Sequence, residues 1–243
     1  MQTQAPRQIQ RVVEQVKKTT IQLEPRSLEV LTGATARRLL YRVYRSRHSY
    51  DVLTNFLEEA NAIVNEFIFI AYLAGMKKAA KEFKREHASP AQQDWQVIEN
   101  LRMKYRADIE RIIRDMVQDA VTDRQVDIEY YHRRSDLLVQ MAIWSTYNKA
   151  KLAIYRVENV RQSMLAQAQR YKYLGYFMFK TAADERVCEI CAPLAGQMSE
   201  DPDALDEPPF HPWCRCEIVA VPTVPTVEEQ QQFLEEYQTQ QEA

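Results

Sequence analysis

Five residues towards the C-terminal end of the 243-residue chain have the types and spacing of a metal centre. Cys188 and Cys191 form a Cys-x-x-Cys pair, Cys214 and Cys216 follow after 22 intervening residues, and His211 stands three before Cys214. Zinc takes four nitrogen or sulphur ligands in a tetrahedron, and two short-spaced pairs joined by a loop supply them because each pair can bite the ion from one turn. His211 with Cys214 repeats the bite of the first pair. Residues two apart on a strand point the same way, so Cys214 with Cys216 is the rival second pair. Five candidates therefore compete for four places. Without metal, the same cysteines would serve as small buried hydrophobes.

The pattern argues for structural rather than catalytic metal. Zinc deaminases place His-x-Glu ahead of Pro-Cys-x-x-Cys; here the order is reversed, and Pro212-Trp213 follows His211 with no glutamate at the required place. A helical His-Glu-x-x-His is absent. Four protein ligands leave zinc no open position for water, so the metal would staple a loop that cannot bury enough core to hold itself. His48, His87 and His132 are isolated and read as surface or capping residues, and the Glu58-Glu59 and Glu235-Glu236 pairs as solvated.

The elements that must position this cluster follow from proline and glycine. Seven of ten prolines crowd between Pro193 and Pro225, and none lies between 91 and 192. Proline costs about 3 kcal/mol inside a helix, so the middle of the chain can be helical and the cysteine region cannot. Four glycines exclude folds that need many tight turns or a glycine-lined phosphate loop. Apolar spacing predicts helices over residues 2–24, about 35–48 and about 51–87, the last capped by Asp51. Ser89-Pro90-Ala91-Gln92 reads as the start of another, running to about Thr122, with serine as cap and Gln92 in the capping-box position. A further helical stretch spans about 123–173, broken near His132–Asp136. Tyr176–Thr181 and Glu217–Val221 read as strands flanking the cysteines. The fold class is mainly α: a long-helix N-terminal body (1–122), a helical segment (123–174), a small α+β zinc-knuckle-like module (175–225) and a Gln/Glu-rich acidic tail (226–243).

The net charge of -2 is a cancellation, since residues 1–50 sum to +7 and residues 181–243 to -12. Arg37, Arg38, Arg42, Arg45 and Arg47, with Lys17 and Lys18, form a basic helical region able to meet phosphate or an acidic protein surface. The chain opens on polar residues, without the pattern of an export signal. Its longest apolar run, Phe67–Met76, is ten residues, against about twenty needed to span a bilayer. A reducing cytoplasm is the expected compartment, where clustered cysteines serve as metal ligands rather than disulfides.

Over about 40 residues the sequence resembles the phage Mu F-like minor head proteins, the head morphogenesis proteins of tailed phages and prophages. The resemblance rests on Thr181-Ala-Ala-Asp184-Glu-Arg186-Val-Cys188-Glu-Ile-Cys191, then Leu194-Ala-Gly196, then Pro208-Pro209-Phe-His211-Pro212-Trp-Cys214-Arg215-Cys216. Glu189 departs from the proline that often follows the first cysteine, which leaves the metal pair intact. The resemblance implies a non-enzymatic minor component of the phage head that associates with the portal protein and with capsid or scaffolding proteins, and with double-stranded DNA in some members. It implies a virion location inside the head after assembly in the host cytoplasm, and a structural zinc ion. Beside the two ligand pairs, Asp184, Arg186 and Arg215 are read as loop-fixing groups, with an Arg215–Asp184 pair. The rival reading is a metal-dependent nuclease or other DNA-processing enzyme that uses the Cys/His cluster; such an enzyme would bring a second catalytic His or Asn to the metal loop, and the sequence has none there.

Overall fold

Helix α1, Pro25–Arg45, begins on a proline, whose fixed φ and missing N–H suit the first helical position. The computed structural model describes residues 25–46, 50–83, 90–122, 126–169, 176–182 and 188–221; the helix expected over 2–24 and the acidic tail lie outside them. In α1, Pro25, Leu28, Thr32, Ala36, Leu39, Leu40 and Val43 are buried, a three-and-four spacing that gives the helix one apolar stripe. Arg42 and Arg45 occupy its last turn, where cations complement the helix dipole.

Helix α2 runs Tyr50–Glu82, α3 Gln92–Val121 and α4 Ile128–Gln169. Asp51 thus lies within α2. The start of α3 also differs from expectation. Ala91 is its cap residue, and the Asp94 carboxylate accepts the Ala91 N–H at 2.7 Å. An acidic third residue near the positive helix end therefore takes the task assigned to Gln92, which is itself the first helical residue; Ser89 is outside the described residues.

Helix α4 is continuous through His132–Asp136, where polar residues suggested a break. Two of those side chains have tertiary partners, Arg134 donating to Asp115 at 2.8 Å and Asp136 accepting from Arg37, and Ser135 is fully buried. With no proline or glycine in this stretch, nothing interrupts the helix. Asp127 starts it, its carboxylate accepting the N–H groups of Glu129 and Tyr130 at 3.0 and 3.2 Å.

The chain divides into two compact units, Met1–Ala74 with Ala91–Thr146, and Gly75–Pro90 with Tyr147–Ala243. Within the first, α3 buries Ile98, Leu101, Tyr105, Ile109, Ile112, Ile113, Met116 and Val117 on one stripe. The second contains a three-stranded antiparallel sheet of β1 (Tyr176–Lys180), β2 (Met198–Ser199) and β3 (Glu217–Val221), in the order β2-β1-β3. Phe177 pairs with Ser199 and Ala220, and Lys180 with Glu217. Gly196 makes the return to β2 possible: its φ of 76° lies in the left-handed region that glycine enters without strain, and its N–H reaches Phe179 O at 2.9 Å. The structure is thus mainly α with a small α+β module, as the proline and glycine placement predicts.

Gly75 fixes how α2 and α4 meet in the second unit. A Cβ there would lie 2.3 Å from Tyr147 O and 2.8 Å from Ala150 Cβ. Gly75→Ala is therefore expected to destabilise the protein by about 3 kcal/mol, the upper range for overpacking, although alanine is the better helix former. A urea titration checks this; an unchanged or raised midpoint would contradict the close approach.

Candidate metal centre

Both halves of the cluster are tight turns. Cys191 N–H donates to Cys188 O at 3.0 Å and Cys214 N–H to His211 O at 3.1 Å, so each three-residue step closes on itself and presents both ends inward. A short 3₁₀ turn, Ala192–Leu194, follows the first. Cys216 stands immediately before β3, and the sheet therefore sets its position.

The turns bring all five candidates together. His211 Nε2 lies 3.0 Å from Cys188 Sγ and 3.1 Å from Cys191 Sγ, and Cys191 Sγ lies 3.8 Å from Cys214 Sγ. Two triads result, Cys188/Cys191/His211 and Cys191/Cys214/Cys216, each with its donor atoms within 4.8 Å of one another; Cys191 belongs to both. All four thiols are free, and 3.8 Å is far beyond a disulfide bond. Zinc–sulphur bonds near 2.3 Å and zinc–nitrogen bonds near 2.0 Å imply tetrahedron edges of about 3.8 Å between sulphurs and about 3.5 Å between sulphur and nitrogen; the Cys191–Cys214 separation of 3.8 Å has that value, and the two His211–sulphur separations, 3.0 and 3.1 Å, are shorter than such an edge. His211 Nδ1 lies 2.7 Å from Pro212 O. A carbonyl only accepts, so the proton sits on Nδ1 and Nε2 keeps its lone pair for a metal.

The electrostatics also fit a cation. The Cys214 thiol is pulled down to about 5, first because the Cys216 thiol donates to it and then, against burial, by the N–H groups of Cys216 and Phe210. Cys216, donating to Cys214 and buried, is pushed far up, while burial pushes Cys191 up to about 12. For Cys188, burial opposes ionisation but the N–H groups of Cys191 and Ile190 outweigh it and lower the value. Neighbouring sulphurs thus compete over ionisation, and a divalent cation removes the competition by stabilising every thiolate at once.

The cluster is also part of a hydrophobic core. Cys191, Cys214 and Cys216 pack with Leu152, Tyr155, Phe177, Phe179, Leu205 and Ile218. Phe179 stacks on Phe210 at 5.6 Å, and Tyr155 meets Phe177 at 5.1 Å.

Sequence reasoning missed a polar rail on α4 that holds this region. Asn148, buried, donates from Nδ2 to Pro208 O at 3.2 Å and to Cys216 O at 3.3 Å, so one amide clasps the loop before His211 and the backbone of Cys216. One turn on, Lys151 is 1% exposed; its Nζ is 2.7 Å from Glu217 and 3.4 Å from Glu82, and lies over the rings of Tyr147 and Tyr155. The Tyr155 hydroxyl donates to Glu82 and sits 3.1 Å from Ile218 O, and Glu82 also accepts the Ala220 N–H at 3.2 Å. Burial, then the Glu82 carboxylate, raises the Tyr155 phenol well above its ordinary value. The rail fixes β3, and through it Cys216. On the outer side, Lys149 pairs with Glu207 at 2.7 Å and Arg156 with Asp203 at 2.6 Å.

Other expected site residues are placed differently. Arg37 is paired with Asp136, and Arg42 with Glu59 at 2.6 Å, so two of the five arginines are engaged and Glu59 is not merely solvated. Arg38 and Arg45 are exposed. Arg47, Asp184, Arg186, His48 and His87 lie outside the described residues, and Arg215 is half-buried. His132, expected at the surface or in a cap, has a side chain only 14% exposed, with Nδ1 3.6 Å from Glu129.

The fold and cluster define a mainly helical protein with a small antiparallel module organised around cysteine and histidine donors able to hold a metal ion. The family model described as Phage Mu protein F like protein matches residues 74–219, more than half of the chain, and the chain belongs to that family of phage head morphogenesis proteins. No curated protein and no solved structure matches it. Among the described residues, no helix is long and apolar enough to cross a membrane.

Proposed function

We propose that the chain is a non-enzymatic minor head protein of a tailed phage or prophage, in which a structural zinc ion fastens the C-terminal module and the helical part serves association with the portal and capsid or scaffolding proteins. It acts in the virion, inside the head, after assembly in the host cytoplasm. The observation that carries this reading is the closed donor set. Two turns and a strand edge converge five protein donors, three of the four sulphurs are buried, and their surroundings are aromatic and aliphatic side chains. Zinc bound by four such ligands keeps no position for a substrate water, so it would contribute folding energy rather than Lewis-acid chemistry. Cys188, Cys191, Cys214 and either His211 or Cys216 would hold it, and Asn148 would keep the Cys216 backbone in place. Double-stranded DNA is a further partner in this reading. With Arg37 and Arg42 engaged in ion pairs, the phosphate contact falls mainly to Arg38 and Arg45 among the described residues.

Metal analysis by mass spectrometry, paired with a plasmid nicking assay, tests the proposal. One zinc per chain and intact supercoiled plasmid are expected. Cleavage that disappears in a Cys191→Ser chain would favour the nuclease reading.

A further inference from the structure

The two metal-binding turns share a feature that ligation does not require. Each carries a large apolar residue at its third position, Ile190 in Cys188–Cys191 and Trp213 in His211–Cys214, and these are 59% and 56% exposed. Trp213 also has a φ of 69°, a left-handed conformation that costs a non-glycine residue about 1–2 kcal/mol. A bulky indole that faces water from strained backbone incurs two costs, and such features collect at functional sites. Both residues belong to turns whose ends meet in one cluster, each standing immediately before a ligand of that cluster, Cys191 and Cys214.

Their electrostatic setting narrows the partner. From Cys188 to Val221 there are seven acidic residues; Asp203, Glu207 and Glu217 are paired with Arg156, Lys149 and Lys151 of α4, which leaves Glu189, Glu200, Asp201 and Asp206 against one basic residue, Arg215. Nucleic acid and anionic lipid are repelled by that balance, whereas a basic protein surface with apolar or aromatic side chains is attracted. This chain offers such a surface. Of the five arginines of helix α1, Arg37 and Arg42 are held by Asp136 and Glu59, and Arg26, Arg38 and Arg45 are exposed. Its outward residues alternate charge with apolar area: Arg38 and Arg45 are exposed, as are Val30 (68%), Tyr41 (51%) and Tyr44 (37%). Arginine and aromatic residues are the types most enriched in interface hot spots.

We infer that the Ile190/Trp213 tips of one copy dock on the Arg38/Tyr41/Arg45 face of α1 in a second copy. The two patches are different surfaces of the same chain, so the contact is heterologous and head-to-tail, and successive copies either close into a ring or extend. The inference does not depend on portal association or on the identity of the metal, and a second copy on this face competes with DNA for Arg38 and Arg45.

Sedimentation velocity of the full-length protein as purified, over a wide concentration range at low and high salt, tests it. Association that grows with concentration and weakens with salt is expected. Trp213→Asn combined with Ile190→Gln keeps both turns feasible, since asparagine tolerates positive φ. This variant should weaken association by about tenfold or more, as should Arg38→Glu with Arg45→Glu and, separately, Glu200→Lys with Asp206→Lys. Metal content and circular dichroism equal to those of the parent chain identify variants that still fold. Mixing the two charge-reversed chains should restore association between them, which no folding defect would do. A monomer at every concentration, association insensitive to these substitutions, or failure of the mixture to associate would overturn the inference. So would tips whose substitution abolishes binding of a labelled duplex DNA while leaving self-association intact.

Discussion

A Cys191→Ser chain is expected to retain almost no zinc and to lose the folded structure of its cysteine module. Any single replacement in the cluster leaves four of five donors, so counting ligands does not distinguish the variants. Position does. Cys191 alone belongs to both triads, and its removal leaves two separated pairs, Cys188 with His211 and Cys214 with Cys216, neither of which encloses an ion. His211→Ala or Cys216→Ser each leaves one triad whole and should keep a larger share of the metal. The energetic stake is large, because structural zinc in small modules contributes apparent binding energies of about 10–16 kcal/mol, comparable to the total stability of an ordinary domain. Hydrogen exchange should show β1 and β3 losing protection in Cys191→Ser while α3 keeps its own. Full protection of both strands, or normal zinc content, would refute the shared-ligand assignment.

The second large effect is expected away from the metal, at Lys151. Its ammonium group is enclosed between two tyrosine rings and held by Glu217 at 2.7 Å and Glu82 at 3.4 Å. Burial opposes ionisation of Glu217, yet the attraction of Lys151 outweighs it and holds that carboxyl below its ordinary value. Lys151→Met keeps the length of the side chain but leaves two carboxylates without their cation. Breaking a buried pair from one side in this way costs about 3–5 kcal/mol. Adding Glu217→Gln should recover part of the loss, and a double-mutant cycle in urea gives the coupling between the two. Lys151→Arg should not rescue fully, since a planar guanidinium does not replace a point charge held by two carboxylates over two rings. A loss below about 1 kcal/mol, the range of exposed ion pairs, would contradict a buried network.

These two variants also mark what the sequence discloses and what it does not. Cysteine spacing revealed the centre because ligands two and three residues apart can be brought together by one turn, and the turns observed are of that kind. The strands over Tyr176–Lys180 and Glu217–Val221 were legible from their uninterrupted apolar runs between turn residues, whereas the two-residue β2 is too short to leave a pattern. Asn148, Lys151 and Tyr155 gave no such signal. Their partners lie 60 or more positions away, and a lysine or asparagine in a helix reads as surface until those partners are known. The same blindness to distant partners made His132–Asp136 look like a break, and made the arginines of α1 look uniformly available although Asp136 and Glu59 engage two of them.

X-ray absorption at the zinc edge of the 243-residue chain tests whether the two turns and the start of β3 build one closed structural zinc site. Four-coordinate zinc is expected, with three or four sulphurs at about 2.3 Å and any remaining ligand a nitrogen at about 2.0 Å. An oxygen-dominated or six-coordinate shell, or protein that folds and binds no zinc, would contradict it.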